Sequence, residues 1–337
     1  MNRHAGPPAW GRGPDGGFAR QVEHPALWLA RLDDVQYWPF APPFLPRSRE
    51  LISDFLVPWG PQAVGWFEYG NGVYQLPFDL IDTATIDTAF YMGHPISGHF
   101  GHFIADCLSR MHAWRICREL FGTVKVVLEH LDKDSGFRTR LLTAAGVPAE
   151  DIVFLRAPIH CRRLLLGLPA LGVERYASPV SARLWRQVRD AFGGLPPGRS
   201  ERVYLSRASQ SIRKLTNEAE VEDLFLRFGF AIIRPEELSI EQQIALVSNA
   251  VLIAGPGGSA MFNLAFQKRL KSVLLLIPET FTQITEWLFL AEVTCTVCYH
   301  VGSRDMPADA PATARDAWRV DIAQLMSDVT SWLSSGP

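Results

Sequence analysis

Three stretches of the 337-residue sequence gather side chains that could do chemistry. The first is Gly98-His-Phe-Gly-His102-Phe-Ile-Ala-Asp106-Cys-Leu-Ser-Arg110. His102, Asp106 and Arg110 recur at i, i+4 and i+8, so they drift slowly around one face of a helix. A histidine and a carboxylate so placed can take a proton from a hydroxyl. Either Asp106 is the base, or His102 is and the carboxylate orients its imidazole. His99, His102 and Asp106 also make a partial metal set, without an evident fourth ligand. An Asp106–Arg110 ion pair on a solvated face accounts for the same spacing as well.

The second stretch is Tyr204-Leu-Ser206-Arg207, followed by Arg213 and Asn217-Glu218. Two guanidinium groups near the end of a strand can clamp a diphosphate bidentately and stabilise charge on a departing nucleotide. Either arginine alone reads as part of a solvated basic loop. The third is Gly255-Pro-Gly257-Gly258-Ser259-Ala260, where a strand gives way to a helix. Free backbone N–H groups and a positive helix end attract an anion there, and Ser259 can donate to a phosphate. A tight turn that needs glycine only for its backbone angles is the plainer account. The same turn satisfies G-x-G-x-x-A, with Glu279 about 20 residues on, the outline of a dinucleotide fingerprint. That fingerprint normally marks the first strand of its sheet, whereas two strand–helix units precede it here. Asp132-Lys-Asp134 is a literal D-x-D, a metal-holding pattern in many sugar transferases, but so short a pattern arises by chance.

These residues need elements to hold them. Periodicity predicts a strand over Thr88–Met92, a helix over Phe103–Leu120, a strand over Val124–Leu128 and a helix over Phe137–Ala145. Strands over Ile152–Leu155 and Leu164–Leu166 and a helix over Val180–Phe192 follow. Gly193-Gly-Leu-Pro-Pro-Gly198 is the best domain boundary. Beyond it strands and helices alternate. Strands are expected at Arg202–Leu205, Ala231–Ile233, Val251–Ala254, Val273–Ile277 and Thr294–Tyr299. The intervening helices are Glu218–Phe228, capped by Asn217 with Glu220; Ile240–Ala250, capped by Ser239 with Gln242; Ser259–Phe266; and Gln283–Leu290. Such alternation means an α/β fold with a parallel sheet covered on both faces. The expected organisation is a flexible tail over 1–20, an N-terminal α/β domain over 21–192, a Rossmann-like domain over 199–305 and a terminal helix within 317–334.

Composition narrows the function. Hydrophobic residues at 47% and charged residues at 20% describe a globular chain with material for cores. A formal net charge of −2 and scattered Lys and Arg argue against a nucleic-acid partner. Five cysteines are too few and too odd for a disulfide framework. Cys295 and Cys298 form a lone CxxC that reads as core thiols. Residues Met1–Gly17 lack an apolar leader core, and no run nears the ~20 apolar residues that span a bilayer. The expectation is a cytoplasmic protein with at most peripheral membrane contact.

Taken together, the motifs resemble glycosyltransferase family 61. The family's H-[FW]-x-x-[DE]-x-L-x-R helix is matched by His102–Arg110, and its Y-x-S-R segment, further Arg and N-E pair by Tyr204–Arg207, Arg213 and Asn217-Glu218. A Leu-Ser segment with a following Gln resembles Leu238-Ser239 and Gln243. A G-x-H-G-[AS]-x-x-x-N-x-x-F turn and helix resembles Gly255–Ser259 with Asn263 and Phe266. The likeness spans roughly residues 90–300. It implies a GT-B-like fold of two Rossmann-like domains with parallel sheets facing across a cleft. It also implies a nucleotide-diphosphate sugar donor held by the C-terminal half, no metal or cofactor, and inverting transfer to a saccharide or glycoconjugate hydroxyl. Ser206, Arg207, Arg213, Asn217, Glu218, Gln243, Gly255, Gly257, Gly258, Ser259 and Asn263 would serve the donor, and Asp106, or else His102, the base. The terminal helix would cross back onto the first half. Two positions depart from the pattern: Gly257 stands where the turn histidine is expected, and Leu275 where an acid is often found. Two other readings stay open: an NAD-dependent oxidoreductase built on the Gly255 turn, and a non-catalytic binding or scaffold relative.

Overall fold

The computed structural model describes residues 2–5, 9–11, 21–39, 68–70, 73–75, 83–94, 96–132, 136–193, 200–281, 284–307, 309–313 and 315–334. The chain divides into two units, one of Ala26–Gly172 and one of Val173–Pro337 together with Met1–Pro25. Three strands lie at the N-terminus: β1 (Asn2–Ala5), β2 (Ala9–Gly11) and β3 (Gln21–His24). β1 pairs antiparallel with β3, and β2 runs parallel to the strand Thr296–Arg304. The expected tail over 1–20 is therefore partly strand, because an open sheet edge satisfies backbone groups whatever the side chains. The rest of that stretch lies outside the described residues.

In the unit Ala26–Gly172, β4 (Leu29–Tyr37) precedes a hairpin of β5 (Glu68–Gly70) and β6 (Val73–Gln75). The main strands are β7 (Thr85–Tyr91), β8 (Lys125–Glu129), β9 (Ile152–Leu155) and β10 (Ile159–Gly167), with β11 (Leu171–Gly172) at the unit's end. They form a sheet in the order β4-β10-β7-β8-β9, parallel except for β4. Val35, Tyr37, Ala89, Tyr91, Val127 and Leu164 build its core.

The connection from β7 to β8 departs from the regular helix expected over Phe103–Leu120. It runs as α1 (Phe100–His102), a π-turn (Phe103–Cys107), a 3₁₀ segment (Leu108–Ala113) and α2 (Trp114–Phe121). The Leu108 N–H reaches back five residues to the Phe103 carbonyl, and this added residue breaks the i, i+4, i+8 row. His102 and Asp106 stay together. Arg110 turns inward, buried, with Nη1 donating to the Gly93 carbonyl at 3.0 Å and its guanidinium over the Tyr91 ring. The solvated Asp106–Arg110 pair of the plainer reading is replaced by an Asp106–His102 pair. α3 (Phe137–Ala144) links β8 to β9.

The other unit continues with β12 (Tyr176–Ala177) and α4 (Pro179–Ala191), which Ser178 caps ahead of Pro179. The unit boundary thus falls ahead of α4 instead of at Gly193–Gly198, of which 194–198 lie outside the described residues. α4 goes with the second sheet because Trp185 packs on Phe289 and Arg189 donates to the Gln267 carbonyl at 2.7 Å. β13 (Arg202–Leu205), α5 (Glu218–Arg227), β14 (Ala231–Ile233), α6 (Ile240–Asn249) and β15 (Leu252–Pro256) follow. A 3₁₀ helix (Ser259–Phe266), β16 (Ser272–Pro278), α7 (Thr285–Phe289), β17 (Thr296–Arg304), β18 (Trp318–Arg319) and α8 (Ile322–Ser334) complete the unit.

The sheet order is β14-β13-β15-β16-β17, with β18 antiparallel at the edge. In chain order that is 2-1-3-4-5, a doubly wound sheet whose direction of winding reverses between β13 and β15. Every residue of β16 is buried, as a central parallel strand requires. The apolar face of α8, expected to pack back on the first half, lies in this unit's own core. Leu325, Val329 and Trp332 join Phe225, Phe230 and Leu274, and the Trp332 indole donates to Ser272 Oγ at 2.6 Å. Among the described residues no helix is long and apolar enough to cross a membrane.

Candidate active site

Two clusters stand at the carboxyl ends of parallel strands, one in each unit. In the first, Gly93-His94 follow the end of β7 at Tyr91, and the irregular helix begins at Phe100. Gly93 is required by close approach: a Cβ there would sit 2.0 Å from Tyr37 Oη and 2.7 Å from Glu129 Oε1. Glu129, at the end of β8, is buried and holds this corner by accepting from Tyr37 Oη at 2.7 Å, the His94 N–H at 2.9 Å and Ser97 Oγ at 2.8 Å. Burial pushes its carboxyl above the usual range. Arg138 donates to Ser97 Oγ and to the Glu129 carbonyl, completing the network.

On that corner His102 Nδ1 lies 2.8 Å from Asp106 Oδ2, and His94 Nε2 lies 3.6 Å from the same oxygen. With Nδ1 donating to the carboxylate, His102 is the Nδ1–H tautomer and Nε2 is its basic nitrogen. Both side chains are half-buried, so the pair is sheltered yet reachable. His99 stands beside His102, with ring centroids 5.2 Å apart. His94, His102 and Asp106 can also bring one ligand atom each within 4.8 Å of one another. Sequence reasoning missed His94; its signal was its place just past a predicted strand's carboxyl end. Of the D-x-D, residues 133 and 134 lie outside the described residues. Asp132 is exposed, 3.5 Å from Arg156.

The second cluster sits where the winding of its sheet reverses, the point at which open α/β sheets leave a ligand crevice. Ser206-Arg207 follows β13, and the Gly255–Gly258 turn ends β15. Arg207 Nη1 donates to the Gly257 carbonyl at 2.6 Å, and its backbone N–H to Glu218 Oε1 at 2.6 Å. A Cβ on Gly258 would meet Arg207 Nη1 at 1.9 Å, so this glycine, at φ +140°, makes room for the guanidinium. Arg213 takes a left-handed backbone, φ 53°, and lays its guanidinium over the Phe281 ring at 4.1 Å. Its buried Nε has no hydrogen-bond partner among the described residues. Burial, then repulsion from Arg207, brings Arg213 down to about 10, which leaves it cationic at neutral pH.

The expected cradle of turn N–H groups is not free. The Gly257 N–H donates to the Leu276 carbonyl at 2.8 Å and the Gly258 N–H to Glu286 Oε1 at 2.7 Å. An internal carboxylate therefore occupies the anion position of the turn. Glu286 is buried, and desolvation raises it to about 7, against the pull of the Gly258 N–H, Arg213 and Arg207. Sequence reasoning passed over it, although an acid inside the apolar run Ile284–Leu290 was a signal.

The remaining predicted residues brace the site. Glu218 supports the Arg207 backbone and takes the Tyr204 hydroxyl at 3.4 Å, while Ser206 donates to Glu222 at 2.6 Å. Asn217 stands at the N-cap of α5 as expected, but its side chain makes no capping bond; its amide instead exchanges two hydrogen bonds with the Val320 backbone. Gln243 donates to the Pro235 carbonyl and accepts from Asn263 at 3.0 Å, joining α6 to the 3₁₀ helix. The capping box of Ser239 and Gln242 forms as expected. Ser259 opens the 3₁₀ helix, while Leu275 is buried in β16. Glu279, the acid a dinucleotide fingerprint would place on a ribose, accepts the Arg304 N–H at 2.8 Å. With both glycine N–H groups also engaged, that fingerprint is not realised.

The model of the glycosyltransferase 61 family matches residues 100–274, just over half of the chain. No curated protein sequence matches it. The span takes in the His102–Asp106 helix, both arginines and the glycine turn, and leaves His94 and Glu286 outside. The chain belongs to glycosyltransferase family 61 and is a glycosyltransferase, acting between a sugar donor and an acceptor.

Proposed function

We propose that the protein transfers a sugar from a nucleotide-diphosphate donor to a saccharide hydroxyl, such as a surface-polysaccharide precursor, by single inverting displacement without a metal. The observation that carries this reading is the pair of arginines at the winding reversal of the second sheet. Arg207 is locked to the glycine turn, and Arg213 keeps an orphaned donor on an aromatic support. An orphaned buried N–H costs about 1–3 kcal/mol, and a diphosphate oxygen would satisfy it.

His102, rather than Asp106, acts as the base, since Asp106 Oδ2 already receives His102 Nδ1–H. The acceptor oxygen forms its bond to the anomeric carbon as the bond to the diphosphate breaks. The hydroxyl proton passes to His102 Nε2, and the bond's electron pair leaves with the nucleoside diphosphate beside Arg207 and Arg213. Asp106 stabilises the resulting imidazolium. The tautomers favour proton transfer over metal capture, because the Ile96 N–H points at His94 Nδ1 and leaves the proton on Nε2. A GT-B-like fold is supported by a parallel sheet in each unit, and a reducing cytoplasmic setting by five buried, unbridged cysteines.

The test is nucleotide release from UDP-, GDP-, CMP- and dTDP-sugars, with and without EDTA. Release from one donor, unchanged by EDTA and abolished in Arg213→Ala, is expected. Release that survives Arg213→Ala would refute the diphosphate assignment, and loss with EDTA would refute metal independence.

A further inference from the structure

We propose that His94 is a positioning residue for the His102–Asp106 pair. It is a neutral imidazole that packs face to face on His102 and aims its N–H at Asp106, fixing the plane and tautomer of the base. The inference rests on His102 being the base. Three observations carry it. The His94 and His102 rings are stacked, with centroids 5.2 Å apart and planes 15° from parallel. His94 Nε2 and His102 Nδ1 converge on one oxygen, Asp106 Oδ2, at 3.6 and 2.8 Å. His94 is itself held from both sides, its backbone N–H on Glu129 and its Nδ1 taking the Ile96 N–H at 3.3 Å.

That last contact decides the chemistry. An Nδ1 that accepts must leave the proton on Nε2, so His94 faces the carboxylate as a donor. At 3.6 Å this is electrostatic contact and not yet a hydrogen bond, and such contacts tighten when substrate arrives. The groups facing His94 are Asp106, His99, His102 and Arg110, with Glu129 on its backbone. Asp106 favours its protonation, but burial outweighs this and brings it down to about 4. His94 therefore stays uncharged while His102 takes its proton. The stack can hold the base without a second cation beside the new imidazolium.

Side-chain ¹H–¹⁵N spectra of the full chain, labelled at histidine, read tautomers without any substrate. Wild type is expected to show His94 as Nε2–H from pH 5.5 to 8, and the neutral form of His102 as Nδ1–H. In His94→Phe, which keeps a flat ring but loses the N–H, His102 should become a mixture of tautomers. Donor hydrolysis should fall between about tenfold and a hundredfold, with donor KM unchanged. His94→Gln, whose amide can still donate to Asp106, should regain part of the rate. Should His94→Phe fail to fold, His94→Leu carries the same expectation. A single Nδ1–H tautomer at His102 with a wild-type rate in the variant overturns the positioning role. Wild-type hydrolysis in His102→Ala would instead overturn the base assignment beneath it.

Discussion

Glu286→Gln isolates the carboxylate that fills the glycine turn. Gln keeps the shape and an oxygen for the Gly258 N–H, so the change removes charge and little else. In the folded wild type the carboxyl is raised from 4.5 to about 7 by burial. Below about pH 4.5 both folded and unfolded chains hold this proton, and the group costs nothing. As pH rises toward 7 the unfolded chain ionises first, so wild-type stability falls, and above the folded value the loss is complete. A rise of that size at ~1.4 kcal/mol per pH unit amounts to roughly 3 kcal/mol. Urea unfolding of both proteins between pH 4.5 and pH 8 measures it. The other titrating groups largely cancel in the difference, which should turn in favour of Glu286→Gln by roughly 3 kcal/mol across the window. A difference that stays flat with pH would mean an ordinary ionised acid at that position, and the account of a carboxyl raised by burial would fall.

Three further outcomes are expected. Gly258→Ala drives a Cβ into Arg207 Nη1 and should weaken nucleoside-diphosphate binding at least about tenfold by calorimetry; an unchanged Kd would show that Arg207 does not hold the ligand. Phe281→Ala removes the ring under Arg213 and should raise the same Kd about fivefold, near 1 kcal/mol; no change would leave the ring without a role in binding. Gly93→Ala crowds Tyr37 Oη and Glu129, so thermal unfolding should show a loss of about 1–3 kcal/mol. Adding Tyr37→Phe should recover part of it, and no recovery would place the crowding elsewhere.

Much of the second unit was legible because its signals are local. Arg202–Leu205 and Ala231–Ile233 fall where their apolar runs predict, and Ser239, with Gln242 three residues on, announces the start of α6. Spacing also found His102 with Asp106, and strand ends found Arg207 with Arg213. What escaped depends on the third dimension. The π-turn at Phe103–Cys107 leaves no mark in composition, so Arg110 seemed to share a face with Asp106. Whether a turn N–H is free depends on which side chain arrives from elsewhere, and Glu286 arrives from 28 residues away. β4 was missed because Arg31, Asp33 and Asp34 obscure its alternation.

The loop that presents Arg213 is held by a much later part of the chain. Its carbonyl accepts from the Trp318 indole, its N–H donates to the Arg315 carbonyl, and Asn217 is tied to Val320, contacts spanning up to 105 residues. All of these later residues lie beyond the end of the family match at residue 274. During synthesis at 5–20 residues per second, Arg213 therefore leaves the ribosome roughly 5–20 s before its fastenings exist. A nascent chain stalled after residue 300 is expected to carry both arginines and retain no nucleoside diphosphate. One released after residue 334 should bind it, and equal binding by the two would show that the loop shapes itself. The anion site is, in this sense, switched on only once translation has passed Val320.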